Sequence, residues 1–135
     1  MKEVTSNLQV AKVLVKNSEE IIPKIRGDFQ IVRAECWEEV AFAALLSLRA
    51  FERGTNHART LGGELLLRLS GKLQIKDAIA EWGIRDGENY LVVFGDRERA
   101  RNLIMELGLE ELPVNGCEKE KLKTSFEKAA LVEVL

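Results

Sequence analysis

The 135 residues include one histidine, two cysteines and two prolines. That scarcity excludes several chemistries. A zinc site draws on several His and Cys ligands at close spacing, whereas Cys36 and Cys117 stand far apart, with no CxxC pair and only His57 to join them. No metal and no cofactor are therefore expected. The two thiols read as small buried hydrophobes, a disulfide being the lesser habit of a chain in the cytosol.

Long apolar runs are missing too. The nearest approach, Val40 to Leu48, is too short to span a bilayer, and MKEVTSNLQV at the start lacks the layout of a signal peptide. The expectation is a cytoplasmic protein without membrane contact. Catalytic signatures are also lacking: there is no GxGxxG, HExxH or DxD pattern. Gly71-Lys72-Leu73 shares its GK with a phosphate-binding P-loop. That pattern needs glycine where Leu66 stands and Ser or Thr where Leu73 stands. His57 has no serine or cysteine placed as a nucleophile. No catalytic residue is assigned, and the chain is not expected to be an enzyme.

What is present is an ordinary globular mixture, 46% hydrophobic and 31% charged, long enough for one domain over 1–135 with a real core. Net charge is −2 but uneven: Arg53, Arg59, Arg68, Lys72 and Lys76 against Glu64 give +4 in the middle, leaving −6 elsewhere. A concentrated cationic segment points to an anionic partner, although basic residues on a helix are also an ordinary solvated face.

Periodicity supplies the elements. Leu8–Val15 alternates as a strand. Ser18 is placed to cap a short helix that Pro23 shortens or bends and Gly27 ends, and FQIVRAEC is a second strand. From Trp37 to Phe51 apolar residues recur at 3.6-residue spacing, with Gly54 as the stop. Helices over Leu61–Leu69 and Leu73–Trp82 follow, each closed by glycine, with Ile84 placed for a Schellman contact beyond Gly83. NYLVVF is a strand buried on both faces. Asp96 caps a helix ending at Gly108, LEELPVNG is a loop, and CEKEKLKTSFEKA is a last helix. The tail ALVEVL either closes the sheet as a strand, for which Val132 and Val134 alternate around Glu133, or extends that helix. The class is α/β or α+β: a small three- to four-stranded sheet packed with about six helices.

The run NHARTLGGELLLRLSGKLQI carries the candidate site. Thr60 is an N-cap. Gly62 and Gly63 leave the first helical turn bare, at roughly 1 kcal/mol each relative to alanine. Either another element packs closely there or an anionic ligand approaches the N–H groups. Leu65, Leu66, Leu69, Ile75, Ile79 and Trp82 read as core.

This stretch, continued through KDAIAEWGI, resembles the signature of the archaeal form of the kinase-binding subunit of the KEOPS complex, the Cgi-type or PRPK-binding protein family. The matching residues are Arg59-Thr60, Glu64-Leu65-Leu66, Leu69-Ser70-Gly71, Gln74-Ile75, Ala78-Ile79 and Gly83-Ile84, followed by the strand NYLVVF. The specific part is about 30 residues, and the order of elements agrees along essentially the full chain.

The resemblance implies a non-catalytic subunit of the complex that adds threonylcarbamoyl to the adenosine beside the anticodon of tRNA. It implies direct binding to the complex's atypical kinase-ATPase, indirect contact with the threonylcarbamoyl transferase, and a hold on the tRNA 3′ CCA end. Chemistry and motif position nominate Arg59, Lys72 and Arg68 for phosphates, with Thr60, Ser70 and Gln74 for bases or sugars. For the kinase, the apolar tail residues Leu131, Val132, Val134 and Leu135 are candidates, with packing onto the sheet as the other outcome. Two other classes compete: a regulatory domain that holds a phosphorylated metabolite at Arg59 and the bare helix start, and a kinase scaffold that binds no RNA.

Overall fold

The computed structural model describes residues 1–134, except the side chains at 133 and 134. Among these residues the order is β1 (Lys2–Thr5), β2 (Leu8–Val15), α1 (Ser18–Ile21) with a 3-10 turn (Ile22–Lys24), β3 (Phe29–Val32), α2 (Trp37–Arg53), α3 (Leu61–Ser70), α4 (Ile75–Trp82), β4 (Gly87–Val93), α5 (Arg97–Glu106), β5 (Glu110–Leu112) and α6 (Lys119–Val134).

The five strands form one antiparallel sheet in the order β1-β2-β4-β3. β2 pairs with β4 from Gln9↔Val93 to Val15↔Gly87, and its other edge is shared between β1 and β5. Strand alternation divides the core in two. Leu8, Val10, Val32, Tyr90 and Val92 face a layer built from α2, α3, α4 and α6. Ala11, Val13, Phe29, Ile31, Leu91 and Val93 face α1 and α5. β4 is therefore apolar at successive positions because both of its faces are covered.

Several expectations change. The sheet has five strands because two short edges, β1 and β5, pair with β2, and β5 lies inside the segment read as a loop. The alternation in ALVEVL does not make a strand over the described residues: α6 runs on to Val134, packed on α2 and α3, and Leu135 lies outside the described residues. The cap of α1 is Asn17, whose side chain accepts from Glu19 N–H, while Ser18 N–H goes to Asp86. β3 stops at Val32, short of the strand read through Cys36.

Gly83 makes no Schellman ending. It is extended (φ −68°, ψ 165°) and bridges to Val32. Glycine is needed there for room, since a Cβ would sit 2.5 Å from the Ile79 carbonyl oxygen.

The cysteines also depart from the reading as free thiols. Cys36, at the cap of α2, and Cys117, just before α6, form a disulfide with Cα atoms 5.0 Å apart. The fold brings the starts of these two helices to the same place. Polar bonds hold the same corner: Tyr90 hydroxyl donates to Asn115 Oδ1 at 2.8 Å, Trp37 N–H to Asn115 O at 3.0 Å, and Cys117 N–H to Glu38 at 2.8 Å. The Asn115 amide also donates to the Glu35 carbonyl. Burial pushes the Tyr90 hydroxyl above its ordinary pKa of 10.0, against the hydrogen bond at Asn115 that lowers it, so it stays a neutral donor.

Candidate nucleic-acid interface

The cationic run folds as a loop, residues 55–60, followed by the α3–α4 hairpin. Gly54 ends α2 in the left-handed conformation, and Thr60 starts α3 by accepting Gly63 N–H at 3.0 Å. Between them the loop bends over the Glu64 carboxylate. Glu64 Oε1 accepts the N–H groups of His57 and Ala58, each at 2.8 Å, and Oε2 takes Arg68 Nε at 3.0 Å and a terminal nitrogen at 2.9 Å. Both side chains of this ion pair are fully buried. Pairing and these hydrogen bonds offset the cost of burying the two groups.

His57 ties the same loop to α6. Its Nε2 lies 3.0 Å from the Val132 carbonyl oxygen. A carbonyl only accepts, so this nitrogen carries the proton. Val132 is in the last turn of α6, where carbonyls have no intrahelical partner. The bond thus satisfies one of them and fixes loop to helix.

Of the residues nominated for RNA, four are brought to the surface. Arg59 is exposed with no carboxylate partner among the described residues. Thr60 is exposed although its oxygen serves the cap. Lys72 is exposed, with Glu81 at 4.0 Å, and Gln74 is exposed at the start of α4 with its side chain unused as a cap.

Two are not brought there. Arg68 is inside, holding the loop through Glu64. Ser70 is buried at the α3–α4 turn, its hydroxyl donating to Leu67 O at 3.2 Å and accepting from Lys72 N–H at 3.1 Å. Gly71 completes that turn at φ 70°.

The bare start of α3 is explained by packing. A Cβ on Gly62 would lie 3.2 Å from Phe29 O, and one on Gly63 would lie 3.2 Å from Ala58 Cβ and 3.4 Å from Ile75 Cδ1. Their N–H groups are taken by Gly27 O and Thr60 Oγ1. The turn is bare because β3 and the 55–60 loop press on it.

The tail candidates divide as well. Val132 is fully buried, whereas Leu131 is half exposed. The Val134 side chain and Leu135 lie outside the described residues.

Sequence reasoning placed Ile75 and Ile79 in the core, but they are 40% and 51% exposed, and Trp82 is only half-buried. α4 makes an apolar stripe at i, i+4 spacing, yet it rides outside α3, so only Ala78 is fully covered. Leu73 joins this surface at 44% exposed. Periodicity finds such a stripe but cannot say whether the chain itself covers it. The spacing Glu64-x3-Arg68 inside a leucine run was a readable signal for the buried pair.

Among the described residues no group of three or more His, Cys, Asp or Glu could hold a metal ion, and no helix is long and apolar enough to cross a membrane.

Fold and surface together define a small mixed α/β protein in which Leu73, Ile75 and Ile79 stand exposed on the α3–α4 hairpin, with Arg59 and Lys72 also exposed. The chain belongs to the family described as "Kinase binding protein CGI-121", whose model matches residues 13–129. It is also similar to the KEOPS complex subunit Cgi121 of Pyrococcus abyssi (strain GE5 / Orsay), with 41% identity across the whole of this chain and 82% of that protein.

Proposed function

We propose that the chain is a non-catalytic subunit of a KEOPS-type tRNA threonylcarbamoyladenosine-modification complex. It binds the kinase-ATPase directly, meets the threonylcarbamoyl transferase only through that kinase, and recruits tRNA by its 3′ CCA end. Membership of a kinase-binding family and the likeness to a KEOPS subunit support the first part. The exposed Arg59, unpaired among the described residues beside the apolar stripe of α4, carries the RNA part. Single strands are gripped by cations on phosphate and by packing against base faces.

Arg59, Thr60, Lys72 and Gln74 form the RNA contacts in this reading. Arg68 and Ser70 serve them from inside, by shaping the loop and the turn. The kinase contact uses Leu131, with Leu45 and Phe126 as further exposed apolar residues on α2 and α6. The metabolite reading loses support because the helix start it needs is filled by Phe29, Gln30, Ala58 and Ile75.

The test is the salt dependence of tRNA binding. Arg59→Ala and Lys72→Ala should each weaken binding and reduce the slope of log K against log salt by about one per lost phosphate contact. Unchanged slopes in both would remove these residues from the interface. Co-purification with the kinase tests the other half, and failure to co-purify would reject it.

A further inference from the structure

The Cys36–Cys117 bridge borders a hollow of about 280 Å³, lined by both cysteines together with Glu35, Asn115, Glu118 and Lys121. Its two halves differ in access: Cys36 is 2% exposed, whereas Cys117 is partly exposed. We infer that Cys117 is a thiol–disulfide exchange site open to small cationic aminothiols, and that the bridge is a reversible latch on the start of α6.

In the exchange the thiolate of the aminothiol attacks Cys117 Sγ. A new S–S bond forms there and the Cys36–Cys117 bond breaks. Its electron pair leaves on Cys36 Sγ, which takes a proton from water. Cys36 is the N-cap of α2, with its side chain unused as a cap. A side chain at that position stands beside N–H groups of the first helical turn, so the departing sulfur meets donors. The reverse attack, Cys36 on Cys117, expels the aminothiol.

Charge selects the thiol. Glu35 and Glu118 line the hollow, and Glu38 Oε1 accepts Cys117 N–H at 2.8 Å. Lys121 also lines it, but its ammonium already has two carboxylates, Glu35 at 3.8 Å and Glu39 at 3.7 Å. The surroundings of the bridge are therefore net negative. They favour a thiol that carries an ammonium group over one that carries an acid.

The corner is held by more than the bridge. Asn115 is bonded to Tyr90 and Trp37, Cys117 N–H to Glu38, and the Ser125 hydroxyl to Glu39 at 2.7 Å. None of these bonds involves the sulfurs. They keep Cys36 and Cys117 together after exchange, so the freed thiol acts at high local concentration and re-forms the bridge. The far end of α6 is tied separately, through Val132 O and His57. Opening therefore loosens the start of α6 and leaves the rest of the fold in place.

The experiment uses the full oxidised chain and two monothiols of opposite charge, cysteamine and mercaptoethanesulfonate. Each rate is divided by its rate with an unstructured disulfide peptide, which removes the thiols' own reactivity. An alkylating agent traps the released sulfhydryl, and mass spectrometry locates both groups. The thiol should be found on Cys117 and the alkyl group on Cys36. The normalised rate should favour cysteamine about fivefold at low salt, the scale of unit charges several ångströms apart in water, and less at high salt. Glu35→Gln with Glu118→Gln, both at exposed positions, should shrink the preference. In the trapped adduct, amide hydrogen exchange should quicken over 115–122 and stay slow in β2 and β4.

The thiol found on Cys36 would overturn the assignment of the reactive sulfur. Equal normalised rates for the two thiols would overturn the class of substrate. Exchange only in urea, or faster amide exchange throughout the adduct, would make the bridge a fixed staple and overturn the latch.

Discussion

Glu64 and Arg68 face each other one helical turn apart, at 2.9 Å and out of contact with solvent, beneath the loop that presents Arg59. The carboxylate also holds two N–H groups of that loop. Charge buried in this way organises a surface it does not itself reach.

Removing one partner of such a pair strands the other. Arg68→Met should therefore destabilise the fold by about 3–5 kcal/mol in urea unfolding. Any loss of tRNA binding in that variant should come together with this loss of stability. A variant as stable as wild type, with binding selectively lost, would show that Arg68 acts at the surface.

The disulfide joins the starts of α2 and α6 across most of the chain. Cys36→Ser with Cys117→Ser should cost about 2–4 kcal/mol, and a reductant should lower the wild-type melting temperature without affecting the double variant. Equal melting with and without reductant would contradict a formed bridge.

Gly83 has no room for a methyl group. Gly83→Ala should lose about 1–3 kcal/mol through displacement of the Ile79 carbonyl. Gly108→Ala, at φ 63° but in open space, meets backbone strain alone. Chemical denaturation of both compares the two causes, and a neutral Gly83→Ala would refute the close approach.

Asp86 accepts Ser18 N–H at 2.7 Å, which holds its carboxyl below the ordinary 3.8. A carboxyl lowered in the folded state adds stability above the unfolded pKa, and that stability is lost as pH falls through the folded value. The Ser18 amide should therefore titrate in NMR with a midpoint below 3.8, and Asp86→Asn should flatten the acid limb of stability. A midpoint at or above 3.8 would contradict this.

Local rules made much of the fold legible. α2 showed in its spacing and Gly54, and Thr60 and Asp96 cap as their positions suggest. β1 and β5 were hidden because they are mostly exposed edge strands, which carry little burial alternation. The Cys36–Cys117 pairing is a product of tertiary structure that spacing does not encode. Charge counting picked out Arg59 and Lys72, which are exposed, but also gathered the buried Arg68, since a sum of charges does not register that Glu64 lies one turn away. The leucine and isoleucine pattern found both helices of the hairpin without telling the covered stripe from the open one on α4.

The central claim is recognition of a tRNA end, and the most direct test compares the affinity of wild-type protein for intact tRNA and for the same tRNA lacking its terminal CCA. The account predicts clear preference for the intact molecule at moderate salt, with the preference reduced by Arg59→Ala. Equal affinity for the two tRNAs would contradict it.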